Sequence, residues 1–116
     1  MNLADLYKEL QNCFIKVRHY SSIDDQELLK DTLERIRGYE KYIIDNRLGP
    51  ECPILVYCIN TLFEISAENN KKKLYNFADV IHNMPEIYLG KRTYDSFSFE
   101  ITSFCDLYGD SYFENF

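Results

Sequence analysis

Apolar side chains recur along this chain at helical spacing, and the pattern divides it into five segments. Leu3, Leu6, Tyr7, Leu10, Cys13 or Phe14, and Val17 follow the i, i+3, i+4, i+7 order that gathers them on one face. Asn2 is available as a cap and Asp5 sits at the positive end of the dipole, so a helix is predicted over about 3–19. His19-Tyr20-Ser21-Ser22 reads as a break. Ser22 then serves as the next cap, with Asp24, Asp25 and Glu27 in the favourable first turn of a helix over about 23–47. Its stripe is Leu29, Leu33, Ile36, Tyr39 or Glu40, and Ile43. Gly38 inside it costs about 1 kcal/mol relative to Ala, which hints at close packing or a bend. Leu48-Gly49-Pro50 stops the helix, with Gly49 as a left-handed cap.

Pro53 can open a third helix, because the first turn has no use for its missing N–H. Ile54-Leu55-Val56-Tyr57-Cys58-Ile59 is apolar enough for a buried strand. A helix over about 53–68 is preferred. The pattern continues to Leu62, Phe63 and Ile65, Asn60 and Glu64 break any alternation, and no second strand is there to pair. This helix is expected to be the most enclosed. Asn69-Asn70-Lys71-Lys72-Lys73 connects it to a fourth, about 71–83, whose inner face is Leu74, Phe77, Ala78, Ile81 and Met84. Pro85 forces a chain reversal. After Gly90-Lys91-Arg92-Thr93, a last helix over about 95–108 presents Phe97, Ile101, Phe104 and Tyr108, and Gly109 ends it. The expected fold is all-α, a single domain over 1–116, with about five helices.

Composition supports that class. Gly and Pro number four and three, too few for a sandwich or barrel that turns every few residues. The amino terminus lacks a basic region followed by an apolar run, and the longest apolar run, 53–59, falls far short of the roughly 20 residues that span a bilayer. A cytoplasmic protein is expected. Cys13, Cys52, Cys58 and Cys105 lack metal-ligand spacing and are expected to be reduced thiols, mostly in the core.

Net charge is −6, and its placement matters more than its size. Residues 1–92 hold all 13 bases and 14 of the acids, whereas 93–116 hold five acids and no base. The same carboxyl-terminal stretch carries eight of the 18 aromatics. A pI near 4.8 argues against direct nucleic-acid binding. Acids mixed with aromatics outside a single inner stripe suit a basic protein partner, since aromatics anchor and charge steers. The expected partner-binding residues are Asp95, Phe99, Glu100, Asp106, Asp110, Tyr112, Phe113, Glu114 and Phe116.

Candidate chemistry concentrates in the fourth segment. Tyr75, Asp79 and His82 share a flank of that helix, and Asp79, His82 and Glu86 have i, i+3, i+7 spacing that could hold a metal on an unbroken helix. Pro85 breaks it before Glu86, so no metal and no cofactor are expected. The structural reading is preferred: His82 meets the carbonyl end of the dipole with Asp79 one turn back, and Asn83 suits a left-handed cap. No Ser or Cys is placed beside a base, and no glycine loop that would cradle phosphate is present, so catalysis is not expected.

Phe77-Ala78-Asp79-x-Ile81-His82-Asn83-x-Pro85-Glu86 resembles a motif in a loosely defined family of small, uncharacterised helical bacterial proteins of similar length. Some of those proteins look like immunity proteins, the antidotes bacteria keep beside secreted toxins. The resemblance implies a non-catalytic protein that covers a basic toxin. Two alternatives stand beside it: a structural or regulatory helical module, and a small hydrolase or metal-binding protein using Asp79 and His82.

Overall fold

The computed structural model describes residues 2–82. Among them the chain forms four α-helices and no strand: α1 (Leu3–Ser22), α2 (Gln26–Asp45), α3 (Pro53–Ala67) and α4 (Lys71–His82), with a 3₁₀ turn at Gly49–Glu51. The all-α reading holds. The helix expected over 95–108 lies outside the described residues.

The apolar stripes read from the sequence build the core. On α1, Leu6, Leu10, Phe14 and Val17 are wholly buried and Tyr7 and Cys13 nearly so. Leu29, Ile36 and Ile43 come in from α2, and Leu74, Phe77, Ala78 and Ile81 from α4. Five side chains of α3 (Leu55, Cys58, Ile59, Leu62 and Ile65) have no exposed surface at all. Among the described residues the most extensive helix pairing belongs to α1, which packs against α4 and then against α2.

Each of the three described helix ends that leads into another helix turns the corner the same way. The residue after the C-cap takes a left-handed backbone: Asp24 (φ 57°), Arg47 (φ 54°) and Asn69 (φ 56°). That conformation lets later N–H groups reach back to carbonyls the helix leaves open. Asp25 N–H donates to Tyr20 O at 3.1 Å and Leu48 N–H to Ile43 O at 2.9 Å, while Arg47 N–H donates to Ile44 O at 3.1 Å. None of the three residues is glycine, although an L side chain in this region costs about 1–2 kcal/mol.

Those corners correct several boundaries. α1 does not break at His19 but runs through Ser22, with the Ser21 hydroxyl donating to Val17 O at 2.7 Å and that of Ser22 to His19 O at 2.6 Å. Hydroxyls bonded back into their own helix leave it intact. The cap of α2 is therefore Asp25, whose carboxylate accepts from Leu28 N–H at 3.0 Å, rather than Ser22. Arg47 makes the left-handed turn assigned to Gly49, which instead sits in the 3₁₀ turn. Asn2 caps α1 as expected, taking Asp5 N–H at 2.8 Å. Gly38 marks neither close packing nor a contact: a Cβ placed there meets nothing within 4 Å.

Candidate functional site

α4 joins the core stripe to the flank that carries Asp79 and His82. It starts on Asn70, whose side-chain oxygen accepts from Lys73 N–H at 3.0 Å. Lys73 itself is 7 % exposed, an unusual depth for an ammonium, and its Nζ lies 3.2 Å from Glu68 Oε2 at the corner below. A buried cation needs such a partner, because stripping its water without replacement costs several kcal/mol. From that anchor Leu74, Phe77, Ala78 and Ile81 point into the core, and Asp79 and His82 come to the seam with α1.

At that seam Asp79 faces a guanidinium. Arg18 Nη1 donates to Asp79 Oδ1 at 2.7 Å, both side chains being roughly one third exposed. One turn on, the Gln11 side-chain amide donates to the His82 backbone carbonyl at 3.0 Å and so satisfies an acceptor that the helix end leaves open. Residues 18 and 11 meet 79 and 82 in opposite sequence order, as in an antiparallel pair. The imidazole is half-buried in the last turn. Its Nδ1 is shielded from solvent and makes no hydrogen bond to the described residues.

Polar contacts also cross the α1–α2 and α2–α3 seams. Tyr39 Oη on α2 donates to Glu9 Oε2 on α1 at 3.2 Å. Burial and then the Glu9 charge push the Tyr39 phenol up. Arg37 on α2 lies 3.6 Å from the centroid of the Phe63 ring on α3, a cation–π contact, while also pairing with Glu40.

The thiols and the buried phenol are held in their protonated forms. Cys13, Cys52 and Cys58 are free and buried. Burial raises all three above the ordinary thiol value, Cys58 most of all, and the Glu51 carboxylate adds to the effect at Cys52. Tyr7 is pushed up to about 12 by burial, with Cys52 and Glu51 contributing. The Cys52 thiol donates to Leu48 O at 3.2 Å, a structural use at the start of α3. A nucleophilic cysteine needs the opposite shift. Cys105 lies outside the described residues.

Of the motif residues, the structure places Phe77 in the core and Asp79 and His82 at the α1 seam. Asn83 and Pro85 lie outside the described residues. So do Asp95, Phe99, Glu100, Asp106, Asp110, Tyr112, Phe113, Glu114 and Phe116. Among the described residues no group of three or more His, Cys, Asp or Glu side chains could hold a metal ion. No described helix is long and apolar enough to cross a membrane. Sequence reasoning missed Arg18 and Gln11. They stand seven residues apart on one flank of α1, a helical register that was there to be read. What it lacked was the knowledge that α4 packs on that flank.

No family model, curated protein or solved structure matches this chain.

Proposed function

We propose that the chain is a non-catalytic binding domain that takes a basic protein partner through the acidic, aromatic residues of 93–116. Its most concrete form is a cytoplasmic immunity-type protein covering the basic surface of a toxin. The observation that carries this reading is the charge distribution: Asp95, Glu100, Asp106, Asp110 and Glu114 without one Lys or Arg, among eight aromatics. Carboxylates of one sign raise the encounter rate with a basic surface, and aromatics supply the anchors that hold it.

The chemistry of the described residues supports the same reading. Asp79, one half of the acid and imidazole pair that a hydrolase would use, is engaged with Arg18 across a helix seam. The three described thiols are buried, protonated core groups. What remains distinctive is the carboxyl-terminal composition.

The test immobilises the chain beside a variant carrying Asp106→Lys, Asp110→Lys and Glu114→Lys. Both are challenged with the same bacterial lysate at 0.1 M and 1 M salt. The expected result is a basic protein held by the wild-type chain at 0.1 M, absent from the variant, and released at 1 M. The Debye length falls from ~10 Å to ~3 Å over that range. Identical proteins on both columns at both salt concentrations would refute the reading.

A further inference from the structure

A hollow distinct from the α1–α4 seam lies between the first half of α2 and the α3–α4 corner. It encloses about 360 Å³ and is open on one side. Its floor is apolar: Leu29 and Leu33 one turn apart on α2, Ile65 from the last turn of α3 and Leu74 from the first turn of α4. Ile65, Leu74 and Leu29 are buried and Leu33 half-buried. Asn69, in its left-handed conformation at the α3–α4 corner, is part of its lining.

The rim differs in character from the floor and from the rest of the chain. It carries two ammonium groups, Lys30 and Lys71, and side-chain amides from Gln26, Asn69 and Asn70. Among the described residues no carboxylate lines the hollow, although the whole chain has 19 acids against 13 bases. Lys71 pairs with Asp24 at the α1–α2 corner and the Gln26 amide donates to the same carboxylate at 2.7 Å, whereas Lys30 has no ion-pair partner among the described residues. An apolar floor of this volume, at the lower end of the ~300–1,000 Å³ typical of small-molecule sites, takes a compact ligand. Lys30, the rim cation with no ion-pair partner among the described residues, sets the sign of its polar end.

We propose that this cleft binds a small amphiphilic anion, a medium-length acyl or aryl body carrying one carboxylate. The body covers Leu29, Leu33, Ile65 and Leu74 and releases their water, the favourable term. The carboxylate stays at the mouth, where the Lys30 ammonium reaches it on a flexible stem and the rim amides donate hydrogen bonds. A cationic head meets like charge at the same place. Asp24 competes with the ligand for Lys71, so removing that carboxylate frees a second cation for binding. The site lies apart from residues 93–116 and stands or falls independently of the proposed partner.

The probes are decanoate, kept below its micelle concentration, and decyltrimethylammonium, which has the same chain and the opposite head. Each is titrated into the full chain labelled with ¹⁵N. Decanoate is expected to give saturable shifts at the amides of residues 26–33 and 65–74, with the cationic amphiphile about fivefold weaker or more. Lys30→Glu should weaken decanoate roughly threefold to fivefold, the scale of an exposed charge pair, with the melting temperature unchanged. Asp24→Asn should strengthen it about twofold. Ser66→Phe fills the mouth from α3, where the native hydroxyl bonds only its own helix at Phe63 O, and should abolish the saturable shifts. Equal binding of both amphiphiles would overturn the proposal, as would shifts spread to the exposed Ile23 and Ile44. Shifts at the cleft that follow protein concentration and not decanoate would assign it to a second copy and overturn it too.

Discussion

Replacing Gly38 by Ala should make this protein more stable, and the structure sets the size of the gain. Gly38 lies in the interior of α2, thirteenth of twenty residues, far from either cap. Glycine there gives up more backbone freedom on folding than any other residue, a penalty of about 0.8–1 kcal/mol against alanine. The gain is often lost to a clash when the new methyl meets a neighbour. Here a Cβ built on the backbone has nothing within 4 Å, so almost nothing is subtracted. Unfolding entropy near 2.1 cal/mol/K per residue gives ~240 cal/mol/K for a chain of this length, and 1 kcal/mol then raises Tm by roughly 4 °C. Thermal unfolding followed by far-ultraviolet circular dichroism measures that shift. A urea titration should show a higher midpoint with an unchanged slope. An unchanged or lowered Tm would refute the reasoning, because it would mean that the methyl meets a neighbour or that α2 is interrupted at this position.

Three further outcomes are expected. A double-mutant cycle with Arg18→Met and Asp79→Asn should give a coupling of about 0.5–1 kcal/mol, discounted because both groups are partly exposed, and it should shrink in high salt; zero coupling at low salt would remove the ion pair from the seam. Arg47→Gly should raise stability by up to about 1 kcal/mol in a urea titration, since φ 54° strains an L residue and not glycine. The chain should also lose stability in alkali. Tyr7 is raised from its ordinary 10.0 to about 12 in the folded protein, so its contribution is complete below pH 10 and disappears as pH climbs toward 12. The raised thiols start the decline from about pH 9, and Tyr7→Phe should flatten the upper part of the stability curve measured by urea midpoint against pH.

The inner faces of the helices were legible because burial leaves a period in the sequence. Leu6, Leu10, Phe14 and Val17 needed no partner to be recognised, and neither did Leu74, Phe77, Ala78 and Ile81. The ends were harder to read. Ser21 and Ser22 have the composition of a break, yet hydroxyls that bond to Val17 O and His19 O extend α1 instead. Composition does not reveal which acceptor a serine will choose. Gly49 has the look of a left-handed cap, yet Arg47, two residues earlier, takes that conformation and Leu48 N–H reaches Ile43 O. At the candidate site, Asp79 and His82 were visible as neighbours on a flank. Their counterparts Arg18 and Gln11 stand 61 and 71 positions away, set by packing that no local period encodes. Lys73 stands in the sequence as one of three lysines in a polar connection. Only the corner, which folds Glu68 back onto it, makes its burial tolerable.

Asp25 belongs to two helices at once. Its N–H closes the end of α1 on Tyr20 O, and its side chain holds the start of α2 through Leu28 N–H. Helix ends ordinarily fray on their own, so their amides exchange with deuterium far faster than those of the core. Here the last turn of α1 and the first turn of α2 share one residue, so loosening either weakens the other. The amides of Ile23, Asp25 and Leu28 should therefore exchange as one cooperative unit with a common opening free energy. The shared residue turns what would be two loose ends into a single local unfolding step.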